Sequence, residues 1–256
     1  MQYTFTLAAW NFRLARRSLL ALWGVFAAQQ AAVILWRAAQ PGAAGLGLAS
    51  HYYATMQIFA YLGFYLLTAL AAGAATHNSR RARSGYTWAT LPGTPGQKLA
   101  AKAITIAAAE LVFAAWQLVW YIVEFYPVTA LEGWHRRQMY GAVLPAANLY
   151  EQVVTNNLFA RLLPRRPAQI VILLGILALS AAMLAALDTV RGWRKLPVFA
   201  SGLFCAWVCF GIVSIEQHLE WLLDEPRYAL RIAAAVVLAV LTVWWAVRSI
   251  RRGEAV

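Results

Sequence analysis

Six long apolar blocks, with basic residues crowded into every second gap between them, restrict what this chain can fold into more than any other feature. A helix rises about 1.5 Å per residue and a bilayer's hydrocarbon core is about 30 Å thick, so about 20 apolar residues span it. Blocks of that size cover Leu19–Trp36, Tyr52–Thr76, Ala103–Glu124, Gln169–Leu187, Leu196–Ile215 and Tyr228–Val247. They predict an all-α integral membrane protein: one transmembrane domain over residues 1–256, built as a bundle of six transmembrane helices.

The gaps predict the orientation. Lys and Arg concentrate in short loops on the cytoplasmic side. With the N-terminus inside, the inner segments hold Arg13, Arg16 and Arg17; Arg80, Arg81, Arg83, Lys98 and Lys102; Arg191, Arg194 and Lys195; and Arg248, Arg251 and Arg252. That set contains most of the 22 basic residues and every lysine, whereas Glu132, Glu151, Glu216, Glu220, Asp224 and Glu225 fall outside. Both termini are therefore expected to be cytoplasmic. The exception is the long outer loop 125–168, which carries Arg136, Arg137, Arg161, Arg165 and Arg166. Within it Leu144–Leu163 is too polar for a further span, with Asn148, Glu151, Gln152, Asn156 and Asn157. Tyr150, Val153, Val154, Leu158 and Leu162 recur at helical spacing, so the stretch reads as an amphipathic helix, either on the outer lipid surface or as a soluble cap.

Charge and size exclude several classes. The formal net charge of +12 sits at the ends of the spans, which suits anionic lipid on the inner leaflet and argues against nucleic acid. With most apolar residues in spans, no inner gap is long enough for a nucleotide-binding domain. Met1–Arg17 reads as an amphipathic segment, not a cleavable signal, because its arginines precede a full-length span. Trp10, Trp36, Trp120, Trp193, Trp221, Trp244 and Trp245 lie at span ends and form an interfacial belt. Arg exceeds Lys and Ala is abundant, as in a GC-rich bacterium, so the expected location is a bacterial cytoplasmic membrane.

The inner loop after the second span, residues 78–102, reads NSRRARSGYTWATLPGTPGQKLAAK. Ser84 is placed to cap a short helix that Pro92 and Gly93 end, and a second helix starts at Pro95 or Gly96. The result is a compact polar and aromatic knob between two spans. This loop resembles the inner loop of ABC-2 type transporter permeases. That family shows Leu-Pro, then Ser/Thr, then a Lys ten residues after the Pro; here Leu91-Pro92, Thr94 and Lys102 stand at those places, preceded by Tyr86 and Thr87. Two positions depart: Pro95 stands where Arg is usual and Lys98 where an apolar residue is usual. The resemblance implies an exporter permease that pairs with a second copy or a homologous permease. It would be driven by a separate ABC ATPase, which would hold the ATP and Mg. Arg83, Tyr86, Thr87, Leu91, Pro92, Thr94 and Lys102 are then the expected ATPase contacts. The chain itself carries no GxxxxGK[ST] phosphate loop and is expected to bind no cofactor.

Ionisable residues inside a membrane cost on the order of 3 kcal/mol and call for a reason. Glu110, Gln117 and Glu124 recur every seven residues in the third span and so share one helix face. They are expected to line a substrate path or a dimer seam; a structural pairing of Glu110 with a base or hydroxyl is the alternative. Asp188 is expected to pair locally with Arg191 or Lys195, and His51, His77 and His135 have no evident partner. Cys205 and Cys209 read as packing residues, and the Glu216–His218–Glu220 run as a solvated acidic loop, so no metal site is expected. HExxH and GxSxG are absent, and the chain is not expected to be an enzyme. A secondary transporter and a non-transporting binding or immunity protein remain the rival readings.

Overall fold

The computed structural model describes residues 2–40, 42, 46–75, 90–141, 148–156, 158–159, 167–190, 193, 195–215 and 226–252. Among these the regular structure is entirely helical: α1 (Gln2–Ala38), α2 (Gly47–Ala54), α3 (Gln57–Ala74), α4 (Pro95–Tyr140), α5 (Leu149–Thr155), α6 (Pro167–Thr189), α7 (Lys195–Ile215) and α8 (Pro226–Arg251). Four helices, α1, α3, α4 and α8, are long and apolar enough among the described residues to cross a membrane, and α6 and α7 contribute shorter apolar stretches.

The helices differ from the apolar blocks at three places. The amphipathic start and first block form one helix, because Arg13, Arg16 and Arg17 are good helix formers and no proline intervenes. The second block breaks instead of running through: α2 stops at Thr55, whose hydroxyl donates to the His51 carbonyl at 2.7 Å, and Met56 turns left-handed at φ 52°. No glycine or proline announces that break.

The third block extends far beyond its apolar part. Thr94 and Gln97 form a reciprocal cap: the Thr94 N–H donates to Gln97 Oε1 at 2.9 Å and the Gln97 N–H to Thr94 Oγ1 at 3.3 Å. Pro95 follows at the first helical position, where its missing N–H is not needed. From there α4 runs for 46 residues, about 69 Å at the standard rise, so the stretch from Phe125 to Tyr140 is helix where a loop was expected. Pro127 lies inside it without ending it, and Gly141, at φ 62°, supplies the left-handed stop.

The amphipathic helix expected over Leu144–Leu163 is shorter. It covers Leu149–Thr155, begun by Asn148, whose side chain accepts from the Tyr150 N–H. Asn156 is extended and its Oδ1 accepts from the Leu158 N–H at 2.8 Å, so the chain turns there. Leu158 and Phe159 beyond it are buried, while Tyr150 is exposed.

The chain divides into two units. One comprises residues 1–17, 69–110 and 171–256. In it α7 and α8 pack antiparallel: Cys205 Sγ donates to the Ala235 carbonyl at 3.5 Å, and Arg231 lies 5.0 Å from the Trp207 ring centroid. Met183 of α6 joins Cys205, Val208, Ala235 and Ala239 in their core. Leu7, Ala8 and Ala101 form a second cluster, against which Tyr3, Leu91 and Ile250 pack. The small-residue end of α3 fits this unit, since a Cβ on Gly73 would stand 3.2 Å from Asp188 Cγ.

The other unit comprises residues 18–68 and 111–170. Its centre is aromatic: Phe26 meets Phe64 and Phe113 at 4.7 and 5.4 Å between ring centroids, and Tyr61 stacks on Phe113 at 5.3 Å. Trp23 Nε1 donates to Thr68 Oγ1 at 3.1 Å, so the indole N–H beside this layer is satisfied.

Candidate functional site

A buried polar cluster in the second of these units gathers around α2. Four helical positions of α4, Gln117, Tyr121, Glu124 and Glu132, lie along one face and are all buried. The eight residues of α2 present His51 and Tyr52 to this face, both buried. The backbone of α2 is held from outside: the Gly47 N–H donates to Glu132 Oε1 at 2.9 Å and the Ala49 N–H to Gln152 Oε1 at 3.0 Å. These side chains occupy N–H groups that a helix start otherwise leaves unpaired.

Two carboxylates organise the cluster. Glu132 Oε1 also meets His51 Nε2 at 2.7 Å, and its Oε2 lies 3.6 Å from Arg136 Nη2. Facing a carboxylate acceptor, His51 Nε2 carries the ring proton. Glu124 Oε2 accepts from the Tyr52 hydroxyl at 2.7 Å. Because that hydroxyl spends its proton on Glu124, it can only accept from Gln117, whose Nε2 donates at 3.3 Å. The Tyr52 ring meets Tyr121 edge-on at 4.8 Å, and the Tyr121 hydroxyl donates to the Gln152 carbonyl at 2.9 Å.

The cluster leaves polar atoms over. His51 Nδ1, Gln117 Oε1 and Glu124 Oε1 are buried and have no hydrogen-bond partner among the described residues. Gln30 Oε1 and Nε2 and Gln57 Oε1 are in the same state. Gln30 and Gln117 lie one turn beyond Phe26 and Phe113, and Gln57 one turn before Tyr61, so helix geometry puts all three on one side of the aromatic layer. Buried polar atoms are normally satisfied by protein or water, and a group of unsatisfied ones marks a place for water or a polar solute.

The three seam residues are all buried within the single chain, at 0%, 0% and 3% exposure for Glu110, Gln117 and Glu124. They do not share one environment. Gln117 and Glu124 meet through Tyr52, whereas Glu110 belongs to the other unit, where the Ser180 hydroxyl of α6 points to its Oε2 at 3.4 Å. Sequence reasoning missed His51 and Glu132, because the extension of α4 past Glu124 was not visible and Glu132 was assigned to a loop.

Of the expected ATPase contacts, Arg83, Tyr86 and Thr87 lie outside the described residues. Pro92 and Thr94 are exposed, and Leu91 is half-buried against the Leu7–Ala8–Ala101 cluster. The Pro92 carbonyl accepts from the Tyr3 hydroxyl. Gly93 has φ 126°, and a Cβ there would stand 2.8 Å from the Tyr3 ring, so this bend requires glycine. Lys102 differs: its side chain is 3% exposed and forms an ion pair with Asp188. Asp188 thus reaches across to α4, where the Lys102 ammonium is buried, and Arg191 lies outside the described residues. The run Glu216, His218, Glu220, Asp224 and Glu225, with Arg161, Arg165 and Arg166, lies outside the described residues, as does His77. Among the described residues no group of three or more His, Cys, Asp or Glu is placed to hold a metal ion.

Comparison with known proteins returns no match, whether to a family model, a curated protein or a solved structure.

Proposed function

We propose that this chain is the permease subunit of an ATP-driven exporter, moving an apolar or amphipathic substrate across a bacterial cytoplasmic membrane. In this reading six helices cross the bilayer with both termini inside, a second permease copy or homologue completes the path, and a separate ABC ATPase supplies the drive. The observation that carries it is the continuity of α4. This helix starts at the capped turn Thr94–Gln97, directly after the inner loop, and without interruption carries Gln117, Glu124 and Glu132. A packed helix moves as a unit, so displacement at its start shifts the polar face on which Tyr52 and His51 rest. The unpaired oxygens of Gln117 and Glu124 offer acceptors to a passing solute's donors or its water.

The test is affinity capture of the tagged full chain from its native cells in mild detergent, with and without crosslinking, followed by mass spectrometry. A stoichiometric ATPase with phosphate-loop motifs, lost on Tyr86→Ala, is the expected result. Recovery of the chain alone after crosslinking overturns it. A secondary transporter is the second reading, favoured by one feature: His51–Glu132 and Tyr52–Glu124 are buried titratable pairs of the kind that carry protons or ions in such proteins. Substrate accumulation in vesicles driven by a pH gradient without ATP would select it.

A further inference from the structure

An open groove of about 250 Å³ runs between α7 and α8, lined mainly by Pro197, Val198, Leu238, Leu241, Trp244 and Trp245. Trp244 and Trp245 also line an adjoining cleft of about 200 Å³, whose other walls are Arg248, Ser249 and Arg252. The two spaces therefore meet at these tryptophans, the one apolar along the hairpin and the other basic at its end. Both lie within one unit of the chain.

The side chains are ordered for an elongated ligand with an anionic head. Trp244 and Arg248 of α8 and Arg252 just past its end follow at steps of four, and the Arg252 N–H still donates to the Arg248 carbonyl at 3.1 Å, so the three form one stripe. The Arg248 guanidinium stands 5.3 Å from the Trp244 ring centroid, which holds it beside the mouth of the groove. Among the described residues no acidic side chain lines either space and neither arginine forms an ion pair. Two guanidinium groups and a hydroxyl, with no acid between them, match the oxygens of a phosphate and repel a headgroup ammonium. The stretch Leu230–Arg251 is apolar enough to cross a bilayer, so the groove opens where acyl chains lie.

We propose that the α7–α8 hairpin binds one anionic diacyl phospholipid, its phosphate on Arg248, Ser249 and Arg252 and one acyl chain in the groove beside Leu241 and Val198. Headgroup charge selects the lipid, and the groove keeps it from exchanging as freely as lipid elsewhere on the surface. The site requires only that this hairpin be embedded in a membrane, and holds whichever transport reading is correct.

Native mass spectrometry of the full chain in detergent, titrated with phosphatidylglycerol or phosphatidylcholine, tests this. A single phosphatidylglycerol should survive activation that strips phosphatidylcholine. Arg248→Gln with Arg252→Gln should weaken phosphatidylglycerol binding at least tenfold and leave phosphatidylcholine unchanged. Leu241→Trp, at an exposed position that tolerates a large apolar side chain, should weaken it several-fold by filling the groove with both arginines intact. This variant keeps the test decisive if the arginine pair is also needed for folding. Equal retention of the two lipids overturns the proposal, as does unchanged binding in the arginine variant. Displacement of the lipid by glycerol 3-phosphate at similar concentration also overturns it, because the groove would then contribute nothing.

Discussion

Two buried polar contacts on α4 obey opposite rules. At Lys102 an ammonium meets the carboxylate of Asp188, opposite charges in one pair, with side-chain exposures of 3% and 13%. Around Tyr52 a carboxylate meets a phenol, the phenol meets an amide, and Glu124 Oε1 and Gln117 Oε1 have no hydrogen-bond partner among the described residues. The first contact balances its charges internally. The second, among the described residues, pairs its carboxylate with no cation and leaves buried acceptors over. Burial without neutralisation costs stability, so a protein keeps it only where the polar groups have something further to meet. The difference separates a strut from a site on the same helix.

The comparison breaks first at the strut. Asp188→Ala leaves a buried ammonium without its carboxylate, and removing one partner of such a pair costs about 3 kcal/mol, the low end of the usual range because Asp188 is partly exposed. Thermal unfolding of the purified chain in detergent should show the loss, and Lys102→Met with Asp188→Leu should recover most of it. A double variant as unstable as the single one would show that the loss comes from packing around Asp188 and not from the charge. Tyr52→Phe comes next, at about 2 kcal/mol, since it strips a partner from both Gln117 Nε2 and Glu124 Oε2 in a buried place. If the melting temperature stays unchanged, water already fills the gap and the bridge is not structural. Thr94→Ala should cost about 1 kcal/mol by removing half of the reciprocal cap on α4. Hydrogen exchange confined to the first turn after Thr94 would confirm that scale, whereas global loosening would show a larger role for the loop.

Much of the strut's surroundings, and less of the site, was legible in the sequence. Helix content followed from the apolar blocks, and the start of α4 at Pro95 from the proline and glycines before it. The spacing of seven put Glu110, Gln117 and Glu124 on one face of a single helix, which α4 is. The small residues around Gly73 signalled close packing, and Asp188 stands there. What stayed hidden depends on distant partners. Pro127, Glu132 and the arginines after it look like the end of a helix, yet α4 passes through them, because α2 supplies partners for Glu132. The turn at Met56 carries no glycine or proline, so nothing local separated α2 from α3. Without that turn, His51 and Tyr52 read as one more stretch of span. Asp188 had bases close by in sequence, and only the fold shows that it faces Lys102.

The smallest expected change in stability sharpens the comparison most. Glu124→Gln keeps an acceptor for the Tyr52 hydroxyl and places an amide N–H₂ where Glu124 Oε1 now lacks a partner. It also removes a buried carboxylate that forms no ion pair among the described residues. Gains and losses nearly cancel, so unfolding should shift by less than about 0.5 kcal/mol, or toward greater stability. Asp188→Asn, the same chemical change on the same scale, should cost several times more, because it takes the opposing charge away from the buried Lys102 ammonium. The two variants measured side by side in one detergent thus separate charge that holds the fold from charge kept for another purpose. If Glu124→Gln proves as destabilising as Asp188→Asn, Glu124 is structural and the polar face of α4 loses its claim to be a transport site. If it is neutral to folding yet abolishes substrate movement in vesicles, the carboxylate itself is the working group, and the unpaired Oε1 is where the solute or its water must be sought.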